Sequence, residues 1–73
     1  MKKFYTLYIA RNEAGDSTAD AAKLLGITKA NYWNRENGVT DFKLKEAFKL
    51  AEHYGVSVDE LFKEAPQIRR KVG

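Results

Sequence analysis

The sequence predicts an all-α fold of five short helices, and two observations favour it. Chain-breaking residues divide the 73 residues into pieces of helical length, at Gly15, Gly26, Gly38, Gly55 and Pro66. Within most of these pieces, apolar residues recur at helical spacing, and helix start signals follow several of the breaks. A chain of this length forms one domain, with a core that short helices can build.

The first piece, residues 2–14, carries conflicting signals. Its aromatic and β-branched residues favour a strand. Against this, Phe4, Leu7 and Arg11 fall at helical spacing, and Gly15 stands where a helix would stop. We expect a helix here, with an N-terminal strand as the alternative.

The second piece begins with a helix start signal. Ser17 is followed three residues later by Asp20, which resembles a capping box with a shorter acid. Ala22 is small and stands four residues before Gly26, where two helices that cross at a steep angle leave little room for side chains. Gly26 can adopt the backbone conformation that a tight turn requires.

The third piece restarts a helix directly after this turn. Ile27 is the expected apolar contact of the turn, and Thr28 is the expected N-cap, because its hydroxyl can accept from an unpaired amide of the first turn. We expect the third helix over about residues 28–37. Two short helices joined by a tight turn form a helix-turn-helix unit.

The fourth piece, residues 42–54, has the clearest helical pattern. Its start is expected to be capped by Thr40 or Asp41. Its apolar residues form a broad stripe for burial: Leu44, Ala47, Phe48, Leu50, Ala51 and Tyr54.

A fifth helix is predicted from a second capping box. Ser57 is the expected N-cap with Glu60 at the third position, and Leu61 and Phe62 are expected to face the core. Pro66 ends this helix. We therefore expect one domain over residues 1–66 and a basic, flexible tail over residues 67–73.

The net charge of +3 comes from 13 basic and 10 acidic residues and is unevenly distributed. Residues 1–50 contain nine basic and six acidic side chains, residues 51–65 carry an excess of three acids, and the tail adds Arg69, Arg70 and Lys71. Phosphate binding is favoured by clustered cations. This charge pattern gives only modest support for a nucleic-acid partner.

The composition argues against several classes of protein. There is no cysteine, and His53 is the single histidine, so neither a metal site nor a catalytic base is indicated. The five glycines are scattered rather than gathered into a phosphate-binding loop. No apolar run approaches the ~20 residues of a membrane span. We expect no enzyme activity, no cofactor, no metal, no membrane contact and a cytoplasmic location.

A set of motifs resembles a known family. These are Ser17-Thr18 with Ala22, Gly26 and Thr28, the exit Glu36-Asn37-Gly38, and Leu50-Ala51 leading to the run from Gly55 to Leu61. Together they resemble the Cro and repressor type of phage DNA-binding domain, a lambda-repressor-like fold also called the xenobiotic-response-element family, over about residues 4–64. The run from Tyr32 to Gly38 followed by Asp41-Phe42 is similar to small Cro-like regulators of prophages.

The resemblance implies a transcription regulator that places its third helix in the major groove of a double-stranded DNA operator, usually as a homodimer. Thr18 departs from the family pattern because it stands where a glutamine often contacts DNA. Arg35 departs because it stands where an aliphatic residue is usually buried. We expect its stem to lie on the core and its guanidinium to extend toward phosphate.

The residues expected to read bases lie on the outer side of the third helix. Lys29 can donate to guanine, the Ala30 methyl can contact a thymine methyl, and Asn31 or Asn34 can pair with adenine. Trp33 either contacts the groove or packs beside Tyr32, and both readings stay open.

Other residues are expected to hold the DNA backbone or a second subunit. The backbone set is Thr18, Thr28, Arg35, Asn37, Gly38, Thr40 and Lys43. For its lysines, an ordinary solvated surface is the alternative. The expected dimer residues are Phe62, Ala65 and Ile68, although Phe62 can also be simply a core residue. A second possible partner is another repressor protein, which this chain would bind as an antirepressor on the same fold.

Overall fold

Five α-helices joined by short turns make up the fold. A computed structural model describes residues 3–64 of the chain. The helices are α1 (Tyr5–Glu13), α2 (Thr18–Leu25), α3 (Lys29–Glu36), α4 (Leu44–Tyr54) and α5 (Val58–Leu61). No strand occurs in this range. The all-α prediction is confirmed, and the first piece is a helix rather than a strand.

The start of α1 is fixed by contacts with distant parts of the chain. The Phe4 amide donates to the Glu36 carbonyl at 2.9 Å. The Thr6 amide and hydroxyl both donate to the Glu64 carboxylate, at 3.1 and 2.7 Å. The first amides of an α-helix have no partner within the helix, so these contacts stabilise its start. They favour a helix in a segment whose local sequence is compatible with either a helix or a strand. Its described start is Tyr5, three residues later than expected.

The predicted cap of α2 is confirmed in both directions. The Ser17 amide donates to Asp20 Oδ2 at 2.9 Å, and the Asp20 amide donates to Ser17 Oγ at 3.1 Å. These hydrogen bonds, the one from the Ser17 amide first, lower the pKa of Asp20. The helix ends at Gly26, whose φ of +72° is left-handed, a conformation that other residues adopt only with strain.

The predicted start of α4 is wrong. The helix begins at Leu44 and not at Phe42, and neither Thr40 nor Asp41 is its cap. Lys43 occupies the N-cap position, where its amide donates to Glu46 Oε1 at 2.9 Å. The reason lies in the packing of Phe42, whose ring is the centre of an aromatic cluster with three other rings, those of Phe4, Tyr32 and Phe62.

The expected apolar stripe of α4 is only partly buried. Ala47, Leu50 and Ala51 lie in the core, whereas Leu44 is 69% exposed and Phe48 is 55% exposed. At 100° per residue, these two side chains lie on the solvent edge of the stripe, about a quarter turn or more from its buried centre. The prediction that they are buried is therefore wrong.

Only half of the capping box predicted for α5 forms. Ser57 Oγ accepts from the Glu60 amide at 3.1 Å, but the Glu60 carboxylate binds Lys63 Nζ at 3.0 Å instead of the Ser57 amide. The Phe62 ring packs edge-on against Phe4, with centroids 5.4 Å apart. The core reading of Phe62 is thus the one that the structure supports. Ala65, Ile68, Pro66 and the tail lie outside the described residues.

The core joins all five helices around two small residues of α2. Ala21 and Ala22 are 0% and 2% exposed, and they allow α2 to lie close to α3 and α4. The other buried apolar residues are Leu7, Tyr32, Ala47, Leu50, Ala51 and Leu61. The prediction that Ala22 lies at a crowded helix crossing is confirmed. Among the described helices, none is long and apolar enough to cross a membrane.

Candidate nucleic-acid interface

The third helix starts as the sequence predicts. Thr28 has an extended backbone, and its Oγ1 accepts from the Asn31 amide at 3.0 Å. The preceding turn closes when the Ile27 amide donates to the Ala22 carbonyl at 3.0 Å. Ile27 packs against the core, which confirms its role in the turn. The start of α3 is therefore fixed by local hydrogen bonds, one within its own first turn and one from the turn back to α2.

The inner side of α3 is held by a buried ion pair with α1. Glu36 is 1% exposed and Arg11 is 5% exposed. Arg11 Nε and Nη2 donate to the two carboxylate oxygens of Glu36 at 2.9 and 3.0 Å, and the Tyr32 hydroxyl donates to Glu36 Oε2 at 2.9 Å. This bidentate geometry fixes the rotation of α3 about its own axis.

The environment of this cluster shifts two pKa values. Its hydrogen bonds to Glu36 raise the pKa of Arg11, against the opposing effect of burial. Burial first, and then the negative charge of Glu36, raise the pKa of Tyr32. Arg11 therefore stays charged and the Tyr32 hydroxyl stays a proton donor across the physiological pH range.

A second set of polar contacts ties α1 to α4. Arg11 Nη1 donates to the Asp16 carbonyl at 3.0 Å, and Asp16 Oδ2 accepts from the Tyr54 hydroxyl at 2.9 Å and lies 3.1 Å from His53 Nε2. Burial and this hydrogen bond raise the pKa of Tyr54. The single histidine thus contributes to the contact between α4 and the turn that follows α1.

Sequence reasoning missed this cluster. In the sequence, Glu36 stands out only as part of the exit from α3, and Arg11 only as a residue at helical spacing. The available signal was that Arg11 follows Leu7 by four residues, which places a cation on the buried side of α1. A buried arginine requires an acidic partner, but the sequence does not say which acid provides it.

The outer side of α3 is open to solvent. Lys29, Ala30 and Asn31 are exposed, and Trp33 is 49% exposed. Asn34 is half-buried. Tyr32 takes the core position, so its neighbour Trp33 is left on the surface beside Ala30. All five residues expected to read bases thus lie on one helix, and four of them are exposed.

Arg35 lies differently from the expectation. Its Nε is 2.9 Å from Glu46 Oε1, and the two side chains are 14% and 10% exposed. Its Nη1 also lies 3.4 Å from the Asn31 carbonyl oxygen. The guanidinium therefore faces α4 rather than extending into solvent, and a phosphate contact by Arg35 remains a prediction that requires this pair to rearrange.

In the turn after α3, most backbone amides donate hydrogen bonds to carbonyls of α3. The Val39 and Thr40 amides donate to the Asn34 carbonyl at 2.8 and 3.3 Å, and the Gly38 amide donates to the Arg35 carbonyl at 3.2 Å. The Asn37 side chain donates to the Trp33 carbonyl at 2.9 Å. These amides thus have partners within the chain, and phosphate contacts by Asn37, Gly38 and Thr40 stay predictions. The exposed Thr40 hydroxyl remains available.

The remaining residues of the expected backbone set lie at helix starts. Thr18 is half-buried at the first residue of α2, Thr28 caps α3, and Lys43 is exposed before α4. Amides and hydroxyls at such positions favour anions. Contacts of Thr18, Thr28 and Lys43 with phosphate stay predictions.

Lysines without an acidic partner border two clefts beside these elements. A cleft of about 350 Å³ lies between α2 and α3, with Lys23 and Lys29 in its lining. A second cleft, of about 400 Å³, is lined by Leu25, Glu46 and three lysines of the α4 region: Lys43, Lys45 and Lys49. Within residues 3–64, none of these lysines forms an ion pair, whereas Arg11, Arg35 and Lys63 each do. These five lysines thus place unpaired positive charge beside the helix-turn-helix unit, where Asp20 also lines the first cleft.

Within the described part of the chain, no group of three metal-ligating side chains is close enough to hold an ion.

A buried inner side and an open outer side on the second helix of a helix-turn-helix unit define a class of protein, the helix-turn-helix DNA-binding domain. The chain belongs to the helix-turn-helix family of the Cro/C1 type, because the family profile matches residues 7–61. The predicted family resemblance is confirmed.

A curated relative adds to this match. The chain is 40% identical over 43 residues to an uncharacterized helix-turn-helix-type transcriptional regulator of Methanocaldococcus jannaschii. The aligned region covers 59% of this chain and 65% of that protein, so the chain spans slightly less than two thirds of its relative. No solved structure matches the chain significantly.

Proposed function

We propose that this chain regulates transcription by binding double-stranded DNA, with α3 in the major groove and a second copy of the chain on an adjacent half-site. The observation that carries the proposal is the outer side of α3, where Lys29, Ala30 and Trp33 are exposed on a helix whose inner side is held by Glu36. A helix held in this way keeps its side chains in register with base edges. We further infer that the chain acts as a Cro-like repressor in the cytoplasm of a bacterium or a phage-infected cell.

The exposed side chains offer the chemistry of base readout. The Lys29 ammonium donates to guanine O6 and N7, and the amides of Asn31 and Asn34 match the N6 and N7 pattern of adenine. Methyl and indole groups at Ala30 and Trp33 provide apolar contact for thymine methyl groups. Lys23, Lys29, Lys43 and Lys49, which border the two clefts, supply the attraction to phosphate that holds the helix in the groove.

The name of the archaeal relative supports a role in transcription, since that protein is described as a transcriptional regulator. The repressor role, the phage setting and the homodimer follow from the family resemblance. A homodimer is also favoured by affinity, because one 73-residue reader contacts only a few base pairs and two half-sites multiply its binding.

A mobility-shift experiment tests the proposal directly. The probe is the duplex DNA that flanks the chain's own gene, measured at about 50 and 200 mM salt with a random duplex of equal length as control. We expect preferential binding to the flanking duplex and at least a tenfold loss of affinity at the higher salt, because phosphate contacts release counterions. A footprint on the same DNA then gives the operator.

The same experiment separates the proposal from its rival. A chain that binds no duplex at either salt concentration, but forms a stable complex with a repressor encoded beside it, is an antirepressor. That outcome would overturn DNA binding as the function of the outer side of α3.

A further inference from the structure

Two large apolar side chains on α4 are exposed in the folded chain. Leu44 is 69% exposed and Phe48 is 55% exposed. They lie four residues apart and are therefore neighbours on one side of the helix. Ala51, which lies 7% exposed at the base of this strip, continues it toward the core. We call Leu44, Phe48 and Ala51 the α4 strip.

Charges of opposite sign flank the α4 strip on one side. Lys45 and Glu52 are both exposed, and neither has an ion-pair partner within residues 3–64. In helical geometry they lie about 20° apart around the axis and about 10 Å apart along it. The strip thus has a cation near its N-terminal end and an anion near its C-terminal end, on the same flank.

This arrangement is complementary to itself. We consider a second α4 that packs antiparallel to the first, with a two-fold axis passing between the two Phe48 side chains. This axis reverses the order of residues along the helix. Each flank of the strip then lies beside the same flank of the partner. Phe48 then meets the partner's Phe48, and Leu44 meets the partner's Ala51. Lys45 falls within about one residue rise of the partner's Glu52, and the symmetric pair forms at the other end.

We propose that the α4 strip is the contact surface between two copies of this chain. The mixed charges favour a second copy over a purely acidic or purely basic partner, because such a partner would repel either Glu52 or Lys45. The inference rests on the homodimer of the proposed function and names its surface. It also replaces a contact through Phe62, whose ring packs within its own chain against Phe4 and Phe42.

The surface is small, and this sets the strength of the dimer. Few side chains take part, so the interface belongs to the low end of the size range for protein contacts. We expect a dissociation constant of about 1 μM or weaker in solution. Two half-sites on one duplex then raise the local concentration of the second copy.

The apolar part of the proposal is tested by Phe48→Lys in the full chain. Sedimentation velocity over a concentration series gives the dissociation constant of the dimer. We expect Phe48→Lys to raise it at least tenfold, because two cations then meet at the axis. Ile9→Lys is the matched control, since Ile9 is 51% exposed on α1 and lies outside the strip. Circular dichroism verifies that both variants remain helical.

The charged part is tested by charge reversal. Lys45→Glu and Glu52→Lys each place like charges opposite one another, so each variant alone is expected to dimerise on the order of tenfold more weakly. The double variant K45E/E52K restores opposite charges and is expected to recover most of the lost affinity. Mixing the two single variants is expected to give a heterodimer in preference to either homodimer, which a nonspecific loss of stability would not produce.

Four results would overturn the inference, and three of them come from the variants. They are self-association that Phe48→Lys leaves unchanged, equal weakening by Ile9→Lys, and a mixture of the charge variants without a preference for the heterodimer. A wild-type chain that is monomeric both alone and on a duplex with two half-sites would overturn it as well. Duplex binding by the same variants is measured separately, so that a failure of the interface and a failure of DNA binding are distinguished.

Discussion

Glu36 is the residue on which the orientation of α3 depends. Its carboxylate accepts three hydrogen bonds, two from Arg11 and one from Tyr32, in a site that is almost closed to solvent. A surface ion pair contributes little to stability, but removing one partner of a buried pair leaves the other charge without compensation. Removing one partner of this pair is therefore expected to destabilise the fold by more than the intact pair stabilises it.

We expect Glu36→Gln to destabilise the fold by about 3–5 kcal/mol, because it leaves the buried Arg11 guanidinium without a counter-charge. Urea unfolding followed by circular dichroism measures this change. Glu13→Gln is the control, since Glu13 is exposed on the neighbouring helix and its substitution is expected to change stability by less than about 0.5 kcal/mol. The double change Arg11→Met with Glu36→Leu is expected to cost less than Glu36→Gln alone. Equal stability of the two glutamine variants would contradict the assignment.

Lys29 and Lys43 are expected to differ in what they contribute to DNA binding. Lys29→Ala removes a donor to a base edge and should cost about 1–3 kcal/mol, with relaxed preference at one base pair. Lys43→Ala removes a phosphate contact and should weaken all duplexes alike, with the salt slope reduced by about 1. Binding to a set of single-base-pair variants of the footprinted site, at several salt concentrations, separates the two effects.

The control for this comparison is Lys63→Ala, because Lys63 follows α5 and is paired with Glu60. It is expected to change neither the base preference nor the salt slope. If Lys29→Ala and Lys43→Ala give the same pattern of losses, the division into a base reader and a backbone contact is wrong.

At the scale of elements, the unit formed by α2 and α3 is specified by contacts between residues that are near in sequence. The Ser17 and Thr28 caps and the left-handed Gly26 each need only neighbours within a few residues. Such features can be predicted from sequence because the chemistry that forms them is local. The start of α4 could not be predicted in this way, because the packing of Phe42 against Phe4 and Phe62 decides it.

The crossing of α2 and α3 predicts a strong effect of side-chain size. Ala22 is 2% exposed, and we expect Ala22→Leu to destabilise the fold by about 1–3 kcal/mol or more, because the added atoms force the helices apart. Thermal unfolding measures this loss. Ala19→Leu serves as the matched control on the exposed side of the same helix and should leave the melting temperature almost unchanged. A stable Ala22→Leu variant would contradict the packing argument.

The capping box of α2 predicts a dependence of stability on pH. Folding lowers the pKa of Asp20, so the carboxylate favours the folded state above its usual pKa of about 3.9, and this contribution is lost as pH falls through the lowered value. We expect wild-type protein to be more stable than Asp20→Asn by a constant margin above about pH 5, and this margin to disappear in strong acid. Denaturant unfolding of both proteins at a series of pH values tests it. A margin that grows as pH falls would have the wrong sign.

At the scale of the whole molecule, arginines and lysines have different positions. Arg11 and Arg35 form ion pairs inside the fold, and each pair holds α3 to another helix. Several lysines around the helix-turn-helix unit have no acidic partner within residues 3–64 and remain available for phosphate. The net charge of +3 therefore does not describe how charge is distributed over the fold.

A symmetric dimer predicts that affinity depends on the spacing between half-sites. Duplexes whose half-sites are about 10 base pairs apart should bind more tightly than duplexes with a spacing of about 15, because only the former place both half-sites on one side of the DNA. Mobility shifts on a spacing series measure this effect, with a single half-site as control. Affinity that does not vary with spacing would indicate that two copies bind independently.

Local sequence is sufficient to predict the number of helices, the helix-turn-helix unit with its caps, and the residues on the outer side of α3. These follow from local hydrogen bonds and helical periodicity, which act over a few residues. Only the packing of the helices shows that Glu36 is buried with Arg11, that Arg35 pairs with Glu46, and that Leu44 and Phe48 remain exposed. Each of these depends on which helices meet in space, and residues 25 positions apart are brought together only when the core forms.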